Sequence, residues 1–261
     1  MITIFSTLKP MEGHIGIIQR NAVTSWTKLK CNPEVILLGD ETGVAKLCDD
    51  LGIKHIPNVE CNEYGRPYIK DLFKKGQEAS KHNINAYVNG DIILTDSFID
   101  GAICADVFEH YLMVGRRWDL DIDYLISFEI EDWESLLLDV VKAKGVLHKS
   151  TGIDYFVFKR NDWLIDIPLM GVARLAWDNW MVSKAVSRNH TVIDATKFID
   201  VVHQNHVDPK IIKDYKLLLL NNPECANNRK LANTMGGNIH KGFTDHATWV
   251  MEETGEIIKC Q

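Results

Sequence analysis

Through the first 110 residues, short β-prone runs alternate with longer segments of helical period, an order that restricts the chain to βαβ units around a mostly parallel sheet. Strands are expected over Ile2–Thr7, Glu34–Leu38, Lys54–Ile56 and 86–89. Between the first two, Ile15, Ile18, Ala22, Trp26 and Leu29 recur at helical intervals and would cover one sheet face. A second helix is expected over 42–51, with Thr42 as its cap and Gly52 where helices commonly end. A third is expected over 67–81, with Pro67 in the first turn, where its missing N–H matters little.

After Asp91 the pattern changes. Strands are expected at 111–115 and 154–158, separated by an irregular acidic and aromatic segment over 118–133. A helix over 171–186 and strands at 191–193 and 198–202 follow. Residues 221–248 crowd Asn-Pro, Asn-Asn and Gly-Gly-Asn turn chemistry into a stretch of little periodicity, which reads as a loop or lid. Residues 256–259 could return as a small strand. With no repeat and no linker, a single α/β domain spanning 1–261 is expected.

Composition removes several functions. A formal charge of −7 disfavours a nucleic-acid partner, because phosphate neutralisation needs a concentrated surplus of Lys and Arg. The start lacks the basic and apolar pattern of a signal peptide, and no run approaches ~18 uninterrupted apolar residues, so no transmembrane segment and a cytoplasmic location are expected. The six cysteines show neither a CxxC pair nor zinc-ribbon spacing, consistent with reduced structural thiols.

Two clusters carry chemistry. The run Ala86-Tyr87-Val88-Asn89-Gly90-Asp91 is an apolar strand ending in an amide, a glycine and a carboxylate, and in open α/β sheets ligands bind beyond the carboxyl ends of strands. A hard divalent cation favours such oxygens and accepts diphosphate oxygens as well. The second cluster, His203-Gln204-Asn205-His206, follows a β-prone run, and either imidazole could ligate a metal. Two histidines three apart also suit zinc, although no companion ligand pattern completes such a site.

Together these features resemble the GT-A glycosyltransferase superfamily, the nucleotide-diphospho-sugar transferases, over roughly residues 1–206. Members carry a DxD-type motif after the fourth strand and often a metal-binding histidine near the C-terminus. The resemblance implies a GT-A (Rossmann-like) fold, with a mixed, mostly parallel sheet flanked by helices. Residues 1–110 would be the nucleotide-sugar half, 111–210 the acceptor and catalytic half, and 211–261 a C-terminal loop or lid. It also implies Mn²⁺ or Mg²⁺ held by Asp91 with His206 or His203, with Asn89 standing in place of the first carboxylate. Ser6, Thr7, Asp40, Arg66, Asn89, Gly90, Asp91, Arg116 and Arg117 are the nucleotide-sugar candidates. Asp40 could instead cap the following helix, and the arginines at 116 and 117 could instead pair with Asp119, Asp121 or Asp123. Trp177 and Trp180 are candidate acceptor platforms, or else core residues. Asp178 resembles the general base of inverting members, and Asp154 is a second catalytic candidate.

The implied activity is a hexosyltransferase moving sugar from a nucleotide diphosphate donor, most naturally UDP-sugar, to a hydroxyl acceptor such as a glycan. One alternative is a sugar nucleotidyltransferase, although Leu8-Lys9-Pro10-Met11-Glu12-Gly13 lacks the Gly-rich, Arg-containing stretch of that class. The other is a non-catalytic carbohydrate-binding protein built on the two tryptophans.

Overall fold

A computed structural model of the chain describes residues 1–162, 167–206 and 221–260. The opening strands form where expected, as β1 (Ile2–Thr7), β2 (Glu34–Leu38), β3 (Lys54–Ile56) and β4 (Ile84–Val88). Three helices separate them: α1 (Gly13–Lys28), α2 (Val44–Leu51) and α3 (Ile69–Ala79). β1 lies between β2 and β4 and is parallel to both, so its carboxyl end shares an edge with theirs. Gly52 ends α2 in the left-handed region at φ 64°, whereas Gly43, not Thr42, occupies the N-terminal cap. Pro67 lies outside α3, in an isolated bridge to Cys61.

The chain continues through β5 (Ile92–Leu94), α4 (Asp96–Ala105), β6 (Tyr111–Val114), β7 (Trp118–Leu120), α5 (Trp133–Lys144), β8 (Val146–Leu147) and β9 (Tyr155–Lys159). After these come α6 (Trp177–Ser187), β10 (Thr191–Asp194), β11 (Val201–Gln204), α7 (Pro223–Thr234), β12 (Trp249–Met251) and β13 (Ile257–Lys259). Among the described residues the strands form a nine-stranded mixed sheet, β13-β12-β10-β6-β9-β4-β1-β2-β3, and a four-stranded sheet, β5-β11-β7-β8. Five of the pairings in the large sheet are parallel and three antiparallel, giving a mixed, mostly parallel sheet.

Both faces of the large sheet are covered, which is why its strands are apolar on both sides and not alternating. Ile4, Ala86 and Val157 pack under α1, α2 and α4, with Trp26 at the centre. Phe5, Tyr87 and Phe158 pack under α3, α6 and α7, where Phe73 stacks at 5.3 Å on Tyr87 and 5.4 Å on Phe158. α5 covers the small sheet through Leu137 and Val141.

Three expectations are corrected. The segment 118–133 is not wholly irregular, since Trp118–Leu120 pairs with β11 and β8. The helix expected from 171 begins only at Trp177, because Ala173 and Ala176 hold positive φ values of 54° and 84°. The loop expected over 221–248 contains α7, for which Asn222 is the cap and Pro223 the first-turn proline. The part of the expected lid at 211–220 lies outside the described residues.

Candidate active site

Asn89, Gly90 and Asp91 form the corner at which the chain leaves the large sheet after β4 and enters the small one at β5. A Cβ on Gly90 would sit 2.4 Å from Leu8 Cδ2 and 3.3 Å from the Thr7 carbonyl oxygen, so glycine lets the β1 loop close over the corner. Strand register then gathers the histidines. β11 runs antiparallel to β5 with His203 opposite Ile92, one residue from Asp91, and parallel to β7 with His203 opposite Asp119.

The result is a cluster of Asp91, His203 and His206 whose ligating atoms lie within 4.8 Å of one another. Asp91 Oδ2 is 3.2 Å from His206 Nε2 and 3.6 Å from His203 Nε2. Asp91 Oδ1 is buried with no hydrogen-bond partner among the described residues. A carboxylate oxygen left bare beside two imidazoles fits a cation as its missing partner. Both histidines approach Asp91, and among the described residues His203 is braced from behind by Asp119 Oδ1 at 3.2 Å.

Charge is tightly coupled here. Burial pulls the His203 imidazole down, but its bonds to Asp119 and Asp91 outweigh this and raise it to about 9. Burial pushes Asp91 up, and the same imidazoles hold it well below the carboxylate range. Asp119 also pairs with His148 at 2.6 Å and Arg117 at 3.0 Å. Arg117 in turn meets Asp154 at 2.5 Å, and Asp154 accepts from the Asn89 side chain at 2.7 Å.

A cavity of about 500 Å³ opens beside this cluster, lined by Thr7, Arg66, Asn89, Gly90, Asp91, Trp177 and His206 among the expected residues. The Thr7 hydroxyl has no partner among the described residues. Ser6 is fully buried and donates to the Val88 carbonyl at 2.5 Å, which turns it away from any ligand. Asp40 is exposed and neither lines the cavity nor caps α2; its neighbour Glu41 takes the lining position. Arg116 donates to the His148 carbonyl and does not line the cavity. Arg117 is the ion-pair partner of Asp119 and Asp154, which leaves it committed to the protein. Asn89 likewise serves Asp154.

Trp180 is fully buried, so the two-tryptophan platform does not exist, while Trp177 is 4% exposed with its ring edge against Tyr87 at 5.5 Å. Asp178 stands in the first turn of α6, one residue past Trp177 but not on the cavity wall. Burial pushes its carboxyl up to about 6, helped by the charge of Asp154.

Several residues were missed from sequence. Gln19 on α1 holds the Lys9 backbone in both directions, at 2.7 and 2.9 Å, fixing the cavity lip; nothing local in the sequence marks it. Arg174 and Glu224 were missed because the first lies in a stretch read as helix that the structure leaves irregular, and the second in the helix taken for a loop.

Comparison of the coordinates finds similar solved structures. Glucosyl-3-phosphoglycerate synthase from Mycobacterium tuberculosis, in complex with Mn²⁺, UDP and phosphoglyceric acid, matches with a TM-score of 0.53 at 12% identity, over 91% of this chain and 78% of that one. The same enzyme with Mg²⁺ and UDP gives 0.51 at 10% identity, over 90% and 79%. S. aureus TarS 1–349 in complex with UDP-GlcNAc gives 0.50 at 14% identity, over 92% and 72%. No protein-family model and no curated protein sequence matches the chain. At these identities the likeness is one of architecture, and the chain shares the GT-A fold of these enzymes.

Proposed function

We propose that the protein is a metal-dependent glycosyltransferase that moves a hexosyl group from a UDP-sugar to a hydroxyl acceptor. The observation that carries this reading is the Asp91, His203 and His206 cluster, with its bare buried carboxylate oxygen, beside a cavity at the carboxyl ends of β1 and β4. Ligands of open α/β sheets bind at that edge. The neighbours solved with UDP and with Mn²⁺ or Mg²⁺ support the donor class and the ion.

Asp91, His206 and His203 would hold Mn²⁺ or Mg²⁺, and two imidazoles with one carboxylate suit Mn²⁺ better than the harder Mg²⁺. When bound, such an ion stabilises charge on a departing diphosphate. Gly90 keeps the cavity wall at the β1 loop free of a side chain. Asn89 and Arg117 act on the protein side by fixing Asp154 in place. Asp178, one residue behind the cavity-lining Trp177 and raised to about 6 by burial, is the candidate to take the proton of the acceptor hydroxyl as that oxygen attacks the anomeric carbon, a role that requires its carboxylate to reach past Trp177 to the acceptor. Burial of Trp180 counts against a carbohydrate-binding module.

The test is release of UDP from a panel of UDP-hexoses with and without Mn²⁺, scored by chromatography. Release that requires the metal is expected. Pyrophosphate release from a nucleoside triphosphate would mark nucleotidyl transfer instead, and sugar binding with no nucleotide requirement would mark a binding module.

A further inference from the structure

A second polar cluster borders the same cavity and takes no part in the metal centre. Arg66, in the turn before α3, and Arg174, in the irregular segment before α6, both line the cavity and converge on Glu224 at the start of α7. Glu224 Oε1 accepts from Arg66 Nε at 3.2 Å and from Asn62 Nδ2 at 2.8 Å, while Oε2 is 2.7 Å from Arg174 Nη2. α7 is pinned there independently, because Asn228 exchanges two hydrogen bonds of 3.0 Å with the Gly171 backbone. No hydrogen bond or ion pair among the described residues joins this cluster to Asp91.

Two guanidiniums against one carboxylate leave a single positive charge in a largely buried wall, with side-chain exposures of 28% for Arg66, 16% for Arg174 and 6% for Glu224. The Arg66 terminal amino groups have no hydrogen-bond partner among the described residues, because only Nε is spent on Glu224. A desolvated cation with an open planar fork suits a phosphate or carboxylate, which it can meet through two parallel hydrogen bonds. A neutral hydroxyl would leave that charge uncompensated.

We propose that the open fork of Arg66, with the charge of Arg174 beside it and both oriented by Glu224, forms a subsite for an oxyanion carried by the acceptor, a phosphate or a carboxylate. This rests on the transferase reading above and narrows its acceptor to an anionic one. The position supports the acceptor and not the donor. Arg174 lies four residues before Asp178, on the segment that brings in the base, and the charge of a donor diphosphate already has the Asp91 centre to answer it. Glu224 is a positioning residue: it holds Arg66 by Nε alone and leaves that fork open to the cavity, while Arg174, whose Nε and Nη2 both meet Glu224 and whose Nη1 donates to the Ala173 carbonyl, contributes its charge.

The experiment titrates inorganic phosphate calorimetrically into the full chain saturated with UDP and Mg²⁺, then into Arg174→Gln and Arg66→Gln under the same conditions. Phosphate is expected to bind with UDP in place, Arg66→Gln to weaken it at least about tenfold, the equivalent of a lost charge-assisted pair, and Arg174→Gln to weaken it through the lost charge, each by more than it weakens UDP binding. Arg66→Gln keeps the assay decisive should Arg174→Gln fail to fold. Mutual exclusion of phosphate and UDP would assign the arginines to the donor and overturn the proposal. Absence of phosphate binding would also overturn it. Failure of UDP itself to bind, seen before phosphate is added, would overturn the transferase reading and the acceptor assignment with it.

Discussion

Asp91 has two oxygens in different circumstances, Oδ2 beside both imidazoles and Oδ1 buried and unpartnered. Asp91→Asn removes the charge while keeping the shape, so metal-assisted UDP binding should fall by at least about tenfold in calorimetry while the folded spectrum is unchanged. Equal UDP affinity with and without Mn²⁺ in both proteins would take Asp91 out of the site. Asp178 gives a prediction in pH. Its carboxyl is raised from 3.8 to about 6, so between those values the folded chain holds a proton that the unfolded chain has released. Its contribution to stability is therefore full below about pH 4 and declines as pH rises to about 6, by on the order of 1–3 kcal/mol. Asp178→Asn should flatten that slope in urea titrations, and in the wild type turnover should climb as pH passes about 6. Residue types were legible where a motif ended a strand, as at Asp91. Direction was not: Ser6 and Thr7 are neighbours in sequence, yet only one faces the cavity, and strand alternation alone could not say which.

Elements were legible where periodicity and caps agreed. β1 and β2 have the expected bounds because short, mostly apolar runs between turn signals leave little freedom, and β3 has them too although only its Ile56 is apolar. α7 shows the opposite case, since Asn221-Asn222-Pro223 reads as a turn until a helix follows it, after which the same residues are a cap and a first-turn proline. Asn222 Oδ1 accepts from Glu224 N at 2.9 Å and Cys225 N at 3.1 Å. Asn222→Ala should therefore cost about 1 kcal/mol, seen as a lower urea midpoint at constant slope. Because that cap accepts from the Glu224 backbone two residues on, the same variant should weaken phosphate binding in the experiment above. β11 illustrates what no local signal carries: its antiparallel register against β5 puts His203 beside Asp91, and its parallel register against β7 puts Asp119 behind His203. Both pairings are long-range, so the histidines were visible and their bracing was not.

At the scale of the molecule, the Asp91, His203 and His206 cluster stands where two sheets meet, and the large aromatic core lies on one face of the larger sheet. Ligand binding and global stability should then be separable, and two substitutions can separate them. Trp180 is fully buried in the core beneath α6, so Trp180→Ala should lower stability by about 3–5 kcal/mol through lost burial and an unfilled cavity. It removes no group from the cavity wall. UDP with Mn²⁺ at roughly a hundred times its dissociation constant should stabilise the native state by about 2.7 kcal/mol, since the unfolded chain has no site for it. For a chain of this size that is a rise in melting temperature of roughly 5–10 °C. Trp180→Ala should melt earlier yet keep most of this rise, whereas Asp91→Asn should lose the rise whatever its own melting temperature, which the uncompensated His203 charge will lower. The ordering follows from where the two residues sit, one inside the core and the other at the junction of the sheets. A thermal-shift series of the three proteins, with UDP alone, Mn²⁺ alone and both, measures it directly. If Asp91→Asn kept the full ligand-induced rise, the junction would not be the donor site, however well the fold matches.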